Sequence, residues 1–222
     1  MERIFAGEVF EILIQPGALI FSYNHHVENN CIAVHYKMLS FDSRQMTDVG
    51  KNIYKLAKFG SNYRMIEPLC DNYITARALV LQGSKTFVTE RSGKATLFDS
   101  DGLPIWTGEL RYRGMAPSDI GLYKNSMWAS YDKGNVLLRF NLSNMREELR
   151  IGGTRSPFNE PCDLFVTGDE AIVCNKGSKK LVRVNLNTYA VSDYKEFSEA
   201  VHGYVRNDNF EFVLLDSGVY LL

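Results

Sequence analysis

Glycines 93, 134, 177 and 218 stand 41, 43 and 41 residues apart, and each opens a short apolar run: Gly93-Lys-Ala-Thr-Leu-Phe98, Gly134-Asn-Val-Leu-Leu-Arg-Phe140, Gly177-Ser-Lys-Lys-Leu-Val-Arg-Val184 and Gly218-Val-Tyr-Leu-Leu222. A second β-rich run precedes each glycine, at 86–89, 127–131, 171–174 and 210–215, and each of these follows a turn of its own, at 82–84, 124–125, 168–169 and 207–208. Short strands broken by turn residues roughly every 8–12 positions are the sequence form of an antiparallel meander. A unit of ~40–45 residues with four strands is a propeller blade, a wedge of sheet that buries its two faces only by stacking on further copies around an axis.

The first unit is less regular. It reads Glu11-Ile-Leu-Ile14, a Pro16-Gly17 turn, Ala18-Leu-Ile-Phe-Ser22, a wide turn through His25, His26, Asn29 and Asn30, then Ile32-Ala-Val-His-Tyr36 and Phe41-Asp42. Phe41 lies 57 residues before Phe98, whereas Phe98 lies 42 before Phe140, so an insertion follows the first blade. The apolar spacing at 49, 53, 56 and 57, with Asp48 ahead and Gly60 behind, predicts a short amphipathic helix there. The last unit stops after its third strand at Leu222, while Arg3-Ile-Phe-Ala6 is a β-like segment with no blade of its own. Pairing the two removes both exposed sheet edges and closes a ring. The predicted fold is therefore all-β: a five-bladed β-propeller of four-stranded antiparallel blades over residues 1–222 as a single domain, with the insertion at about 44–65. A six-bladed ring with one unrecognised blade and a β-sandwich are the competing readings.

Composition narrows the function classes. With 25 basic and 26 acidic residues the formal charge is −1, so no global field draws the chain to nucleic acid or to an anionic membrane. Glu8 and Glu11 interrupt the N-terminal apolar residues as no signal peptide allows, and no apolar run reaches spanning length. These features predict a cytoplasmic, monomeric protein. The four cysteines, at 31, 70, 162 and 174, form no CxxC pair and read as reduced thiols. Cys162 and Cys174 flank the Gly168-Asp169 turn; a two-residue loop sets 163 opposite 174 and puts the thiols on opposite faces, and a three-residue loop sets them opposite each other.

The segment Glu160-Pro-Cys-Asp-Leu-Phe-Val-Thr-Gly-Asp-Glu-Ala-Ile-Val-Cys-Asn-Lys-Gly-Ser-Lys-Lys-Leu-Val-Arg-Val-Asn-Leu-Asn-Thr188 resembles the YVTN and NHL families of propeller repeat: proline before the inner strand, a Gly/Asp turn, an apolar strand, an Asn- or Gly-rich turn, and an apolar strand ending in Asn or Asp. Residues 116–145 and 76–101 are similar more weakly, the last without the proline in register. The resemblance implies the fold. It implies no activity, because those families span lactonases, lyases and interaction modules.

Inner strands of a propeller converge on the axis, so their beginnings line one mouth of the central channel. Aligning the units by their first turn puts Asp119, Asp163 and His202 there, with Glu8 or Glu11 and Arg77 as the nearest positions in the first two blades. Carboxylates around one axis suit a hard divalent cation, with Asp119 and Asp163 as ligands, and carboxylate with imidazole suits acid/base work on a small polar substrate. An Asp two residues after proline also caps turns by accepting backbone N–H groups. Capping predicts each carboxylate bonded within its own blade; a ligand site predicts side chains aimed at one point. No cofactor is otherwise implied.

Other features point less far. His25 and His26 are adjacent, so on an extended segment they face opposite ways and read as a surface turn. Ser217 precedes a strand, not a helix, and makes no nucleophile elbow. Arg111, Tyr112 and Arg113, with Arg146, Glu147, Glu148 and Arg150, read as a mixed polar rim. No phosphate loop, dinucleotide motif or HExxH is present. The sequence therefore predicts a non-enzymatic binding or interaction module for a protein or small polar ligand at the channel mouth, the alternative being a small-molecule hydrolase or lyase built on the carboxylates and His202.

Overall fold

The structure is a computed structural model that describes the backbone of residues 1–28, 31–51, 55–59, 62–66, 77–90 and 92–222, and side chains over 1–23, 35–49, 81, 83–90 and 92–222. It is a ring of five sheets, each built on a four-stranded antiparallel blade. Blade one is β2 (Val9–Gln15), β3 (Ala18–Glu28), β4 (Cys31–Ser40) and β5 (Met46–Lys51); blade two is β8 (Arg77–Val80), β9 (Thr86–Thr89), β10 (Lys94–Phe98) and β11 (Pro104–Glu109). Blade three is β12 (Asp119–Tyr123), β13 (Ser126–Tyr131), β14 (Val136–Asn141) and β15 (Glu147–Gly152); blade four is β16 (Pro161–Thr167), β17 (Glu170–Asn175), β18 (Lys180–Asn185) and β19 (Val191–Glu196). Blade five is β20 (Val201–Arg206), β21 (Glu211–Leu215), β22 (Gly218–Leu221) and, from the other end of the chain, β1 (Glu2–Ala6).

Each blade is a hairpin meander because its turns carry the residues turns need. The carboxylate of Asp99 accepts the N–H groups of Asp101 and Leu103 at 2.9 and 2.8 Å, and Asn185 does the same for Asn187 and Thr188 at 3.0 and 2.8 Å. Middle strands are buried on both faces, as in β13 and β17, and outer strands such as β19 are half-buried or exposed throughout. The core lies between blades: Trp128, Leu137, Leu164, Val166 and Val173 fill the seam of blades three and four, and Phe165, Tyr204, Phe212, Ile12 and Phe21 the seams of four, five and one.

The predicted closure is present, with Arg3 opposite Tyr220 and Ala6 opposite Gly218. Gly218 has φ +137°, and a Cβ there would overlap the Phe5 carbonyl, so the closing pair is close enough to demand glycine.

The insertion differs from expectation. Instead of a helix over 48–60, Met46–Lys51 is the outer strand of blade one, and β6 (Lys55–Phe59) forms a hairpin with β7 (Asn62–Ile66). A helix of about three turns is marginal in water without an apolar surface to pack on. Val49, one of its intended core positions, is exposed, and blade one otherwise lacks a fourth strand. The hairpin does not build a sixth blade. It extends the blade-two sheet past its innermost strand through a parallel bridge, Lys58 with Leu79, and β7 runs beside β2 of blade one. The wide turn expected at 25–30 is also narrower, since β3 and β4 continue to Glu28 and from Cys31 with His26 paired to Ala33. The side chains of His25, His26, Cys31, Cys70 and Arg77 lie outside those described. Tyr112 is not on the polar rim: it is 6% exposed in the core of blades two and three, with the guanidinium of Arg150 4.9 Å from its ring. Among the described residues no helix is long and apolar enough to cross a membrane.

Candidate functional site

Strand register decides which side chains share a position around the axis. Glu11 pairs with Ser22, Arg77 with Thr89, Asp119 with Ser130, Asp163 with Cys174 and Gly203 with Leu214, which makes Glu11, Arg77, Asp119, Asp163 and Gly203 equivalent. Four of the five expected residues therefore occupy one ring position. His202 misses it by one residue: β2, β16 and β20 carry the same bulge just before the ring position, but the β20 hairpin closes at Arg206 and Glu211 over four residues where that of β16 closes at Thr167 and Glu170 over two, so counting back from the turn lands one residue early.

The two aspartates make a contact that the strand spacing did not anticipate. Asp119, 2% exposed, accepts the backbone N–H of Leu164 in the next blade at 2.9 Å. Asp163 accepts that of Tyr204, again in the next blade, at 3.1 Å, and lies 3.7 Å from the Cys174 thiol. Leu164 and Tyr204 each follow the equivalent ring position by one residue. An innermost strand has no ladder partner on its axial edge, so its N–H groups must be satisfied from elsewhere. Each carboxylate is thus a staple between blades. Among the described residues no three His, Cys, Asp or Glu side chains gather as a metal site.

His202 instead meets the β21–β22 turn. Its Nε2 lies 2.6 Å from Asp216 Oδ1, while Asp216 Oδ2 accepts the Ala200 N–H at 3.3 Å. The imidazole contact, ahead of the backbone bond, holds the Asp216 carboxyl below the usual carboxylate range. The pair is partly open to solvent, at 32% and 59% side-chain exposure, so its imidazole is oriented and accessible. Beside it Ser217 donates to Glu199 at 3.0 Å and meets the Tyr220 hydroxyl at 2.7 Å, a local turn network. Cys162 and Cys174 are free thiols. Asp163 does stand opposite Cys174, as the two-residue loop predicts, but a bulge displaces Cys162, whose Sγ reaches the Val201 carbonyl at 3.3 Å. Burial pushes both thiols well up, so they are poor nucleophiles.

A concavity opens at the other mouth, where inner strands end. A recess of about 550 Å³ is lined by Ile14, Gln15 and Pro16 of blade one, Thr167 of blade four, and Arg206, Asn207, Asp208 and Glu211 of blade five. Its charged walls are fixed from behind. Arg206 Nη2 donates to Glu170 at 3.0 Å, Glu170 is also 3.3 Å from Arg183 Nε, and Glu211 accepts the Tyr194 hydroxyl at 2.6 Å. In the sequence, 207–208 reads only as a turn. The available signal was Arg206 and Glu211 bracketing it with opposite charges, where the matching ends of blade four are Thr167 and Glu170.

No family model matches this chain, and no curated protein sequence matches it. Solved structures resemble it in shape. A streptogramin B lyase superposes with TM-score 0.66 at 12% identity over 98% of this chain and 94% of that one. A virginiamycin B lyase from Staphylococcus aureus gives 0.62 at 10% identity, covering 95% and 92%. An auxiliary nutrient binding protein from Bacteroides thetaiotaomicron gives 0.64 at 11%, covering 94% and 66%. Identities this low show the propeller fold alone.

Proposed function

We propose that this propeller is a non-enzymatic binding module that takes a small polar ligand at the channel mouth where its inner strands end. The observation that carries the reading is the recess of about 550 Å³ shared by blades one, four and five. Ligand sites typically enclose ~300–1,000 Å³ and place a few fixed polar groups among apolar ones, as Arg206 and Glu211 stand beside Ile14 and Pro16. The test is a thermal-shift screen of small charged and polar compounds, followed by backbone amide NMR with each hit. Hits that move the amides of 14–15, 167 and 206–211 support the reading; hits that move only amides around 119, 163 and 202 place the ligand at the opposite mouth and overturn it.

A second reading, a hydrolase or lyase, is favoured by the His202 to Asp216 pair, in which a carboxylate orients an accessible imidazole as in general-base sites. A lyase also stands among the proteins of this shape. On this reading His202→Gln abolishes any turnover found in a substrate screen while leaving ligand binding at the recess unchanged. Equal turnover in His202→Gln rules it out.

A further inference from the structure

Arg206 and Glu211 close the same hairpin and face each other across it, the arrangement in which opposite charges ordinarily pair. Here they do not pair with each other. Arg206 is drawn back to Glu170 and Glu211 to Tyr194, both in blade four, and no ion pair joins Arg206 to Glu211 or Asp208 among the described residues. Asp208 sits exposed at the turn tip, where Asn207 makes the turn by accepting the N–H groups of Asn209 and Phe210 at 3.0 and 2.8 Å. The recess thus holds a cation and two anions apart, with the exposed ring of Pro16 as an apolar wall.

We infer that the ligand of this recess is a small zwitterion of the α-amino-acid kind, an inference that rests on the binding reading above. Arg206 keeps guanidinium N–H groups beyond the one given to Glu170 and so receives the carboxylate. Glu211 and Asp208 receive the ammonium, and an apolar side chain lies against Pro16. Because Glu170 and Tyr194 hold the two charged groups in place, little side-chain freedom is lost on binding. The volume of about 550 Å³ accommodates an amino acid with space for its side chain.

The experiment titrates three matched probes by amide NMR: L-leucine, 4-methylpentanoate, which lacks the ammonium, and 3-methylbutylamine, which lacks the carboxylate. The expected result is saturable movement of the 14–15, 167 and 206–211 amides by leucine with Kd on the order of 1 mM or tighter, and both analogues weaker by about tenfold. Asp208→Asn, at an exposed turn tip, should weaken leucine several-fold without altering the rest of the spectrum. Arg206→Gln should remove the preference for leucine over the amine. If either analogue binds as well as leucine, the zwitterion is overturned while the recess stands as a binding site. If none of the three moves these amides, the inference fails, and the broader screen decides the binding reading by itself.

Discussion

At the residue scale, Asp119 and Asp163 do the work of cross-links. Each satisfies an N–H that the neighbouring inner strand cannot pair, and a charge-assisted bond of this kind contributes about 1.5–3 kcal/mol. Asp119→Ala should therefore lower stability by about 2 kcal/mol in urea unfolding, with the same loss in the presence of a chelator; a loss that appears only when divalent ions are present would mark a metal ligand instead. Tyr131 is the reverse case: its hydroxyl is fully buried with no hydrogen-bond partner among the described residues. Tyr131→Phe should be neutral or stabilising by up to about 1 kcal/mol, since an unpaired buried hydroxyl costs free energy. Burial pushes the Tyr131 phenol well above its ordinary value. Its contribution is then complete below the unfolded pKa of about 10 and is lost as pH rises beyond it, because only the unfolded chain ionises readily. The alkaline limb of the stability profile should be shallower in Tyr131→Phe, which a denaturation series from neutral to strongly alkaline pH would show. The aspartates were legible as a repeated position, but their partners were not, since a bond to the next blade depends on how two wedges meet.

At the scale of elements, β1 shows how much one edge strand decides. Ile4 and Phe5 pack against the core of blades five and one, and Phe5 lies 4.9 Å from the Phe21 ring. Removing residues 1–7 exposes the edge of β22 and opens that core, so the truncated chain should unfold at lower temperature and aggregate, as calorimetry and light scattering would report. Gly218→Ala should reproduce part of this loss, because its Cβ would overlap the Phe5 carbonyl. The closing strand was readable because an orphan strand and an incomplete blade imply each other. The helix expected over 48–60 failed for the complementary reason: apolar spacing over about three turns fits a helix as well as a strand, and the vacancy beside β4 favoured the strand.

At the scale of the whole molecule the ring is uneven. Aspartate staples join blade three to four and four to five, whereas blade five presents Gly203, where a Cβ would come within 3.2 Å of Ile12, and meets blade one by close packing. Gly121 tightens the seam of three and four in the same way, since a Cβ there would come 2.6 Å from Val166. Hydrogen exchange should be slowest in β13, β14, β17 and β18, which are paired on both edges and buried or half-buried on both faces in stapled blades; faster exchange there than in β3 and β4 would contradict this division. The sequence by itself determined the number of blades, the order of strands within them and the closure, because glycine turns and alternating apolar runs act locally and repeat. Tertiary structure decided the hairpin register that moves His202 off the ring position, the blade-to-blade bonds of Asp119 and Asp163, and the recess beside Arg206. Those depend on register and on where separate wedges come into contact, and no spacing along a single strand encodes either.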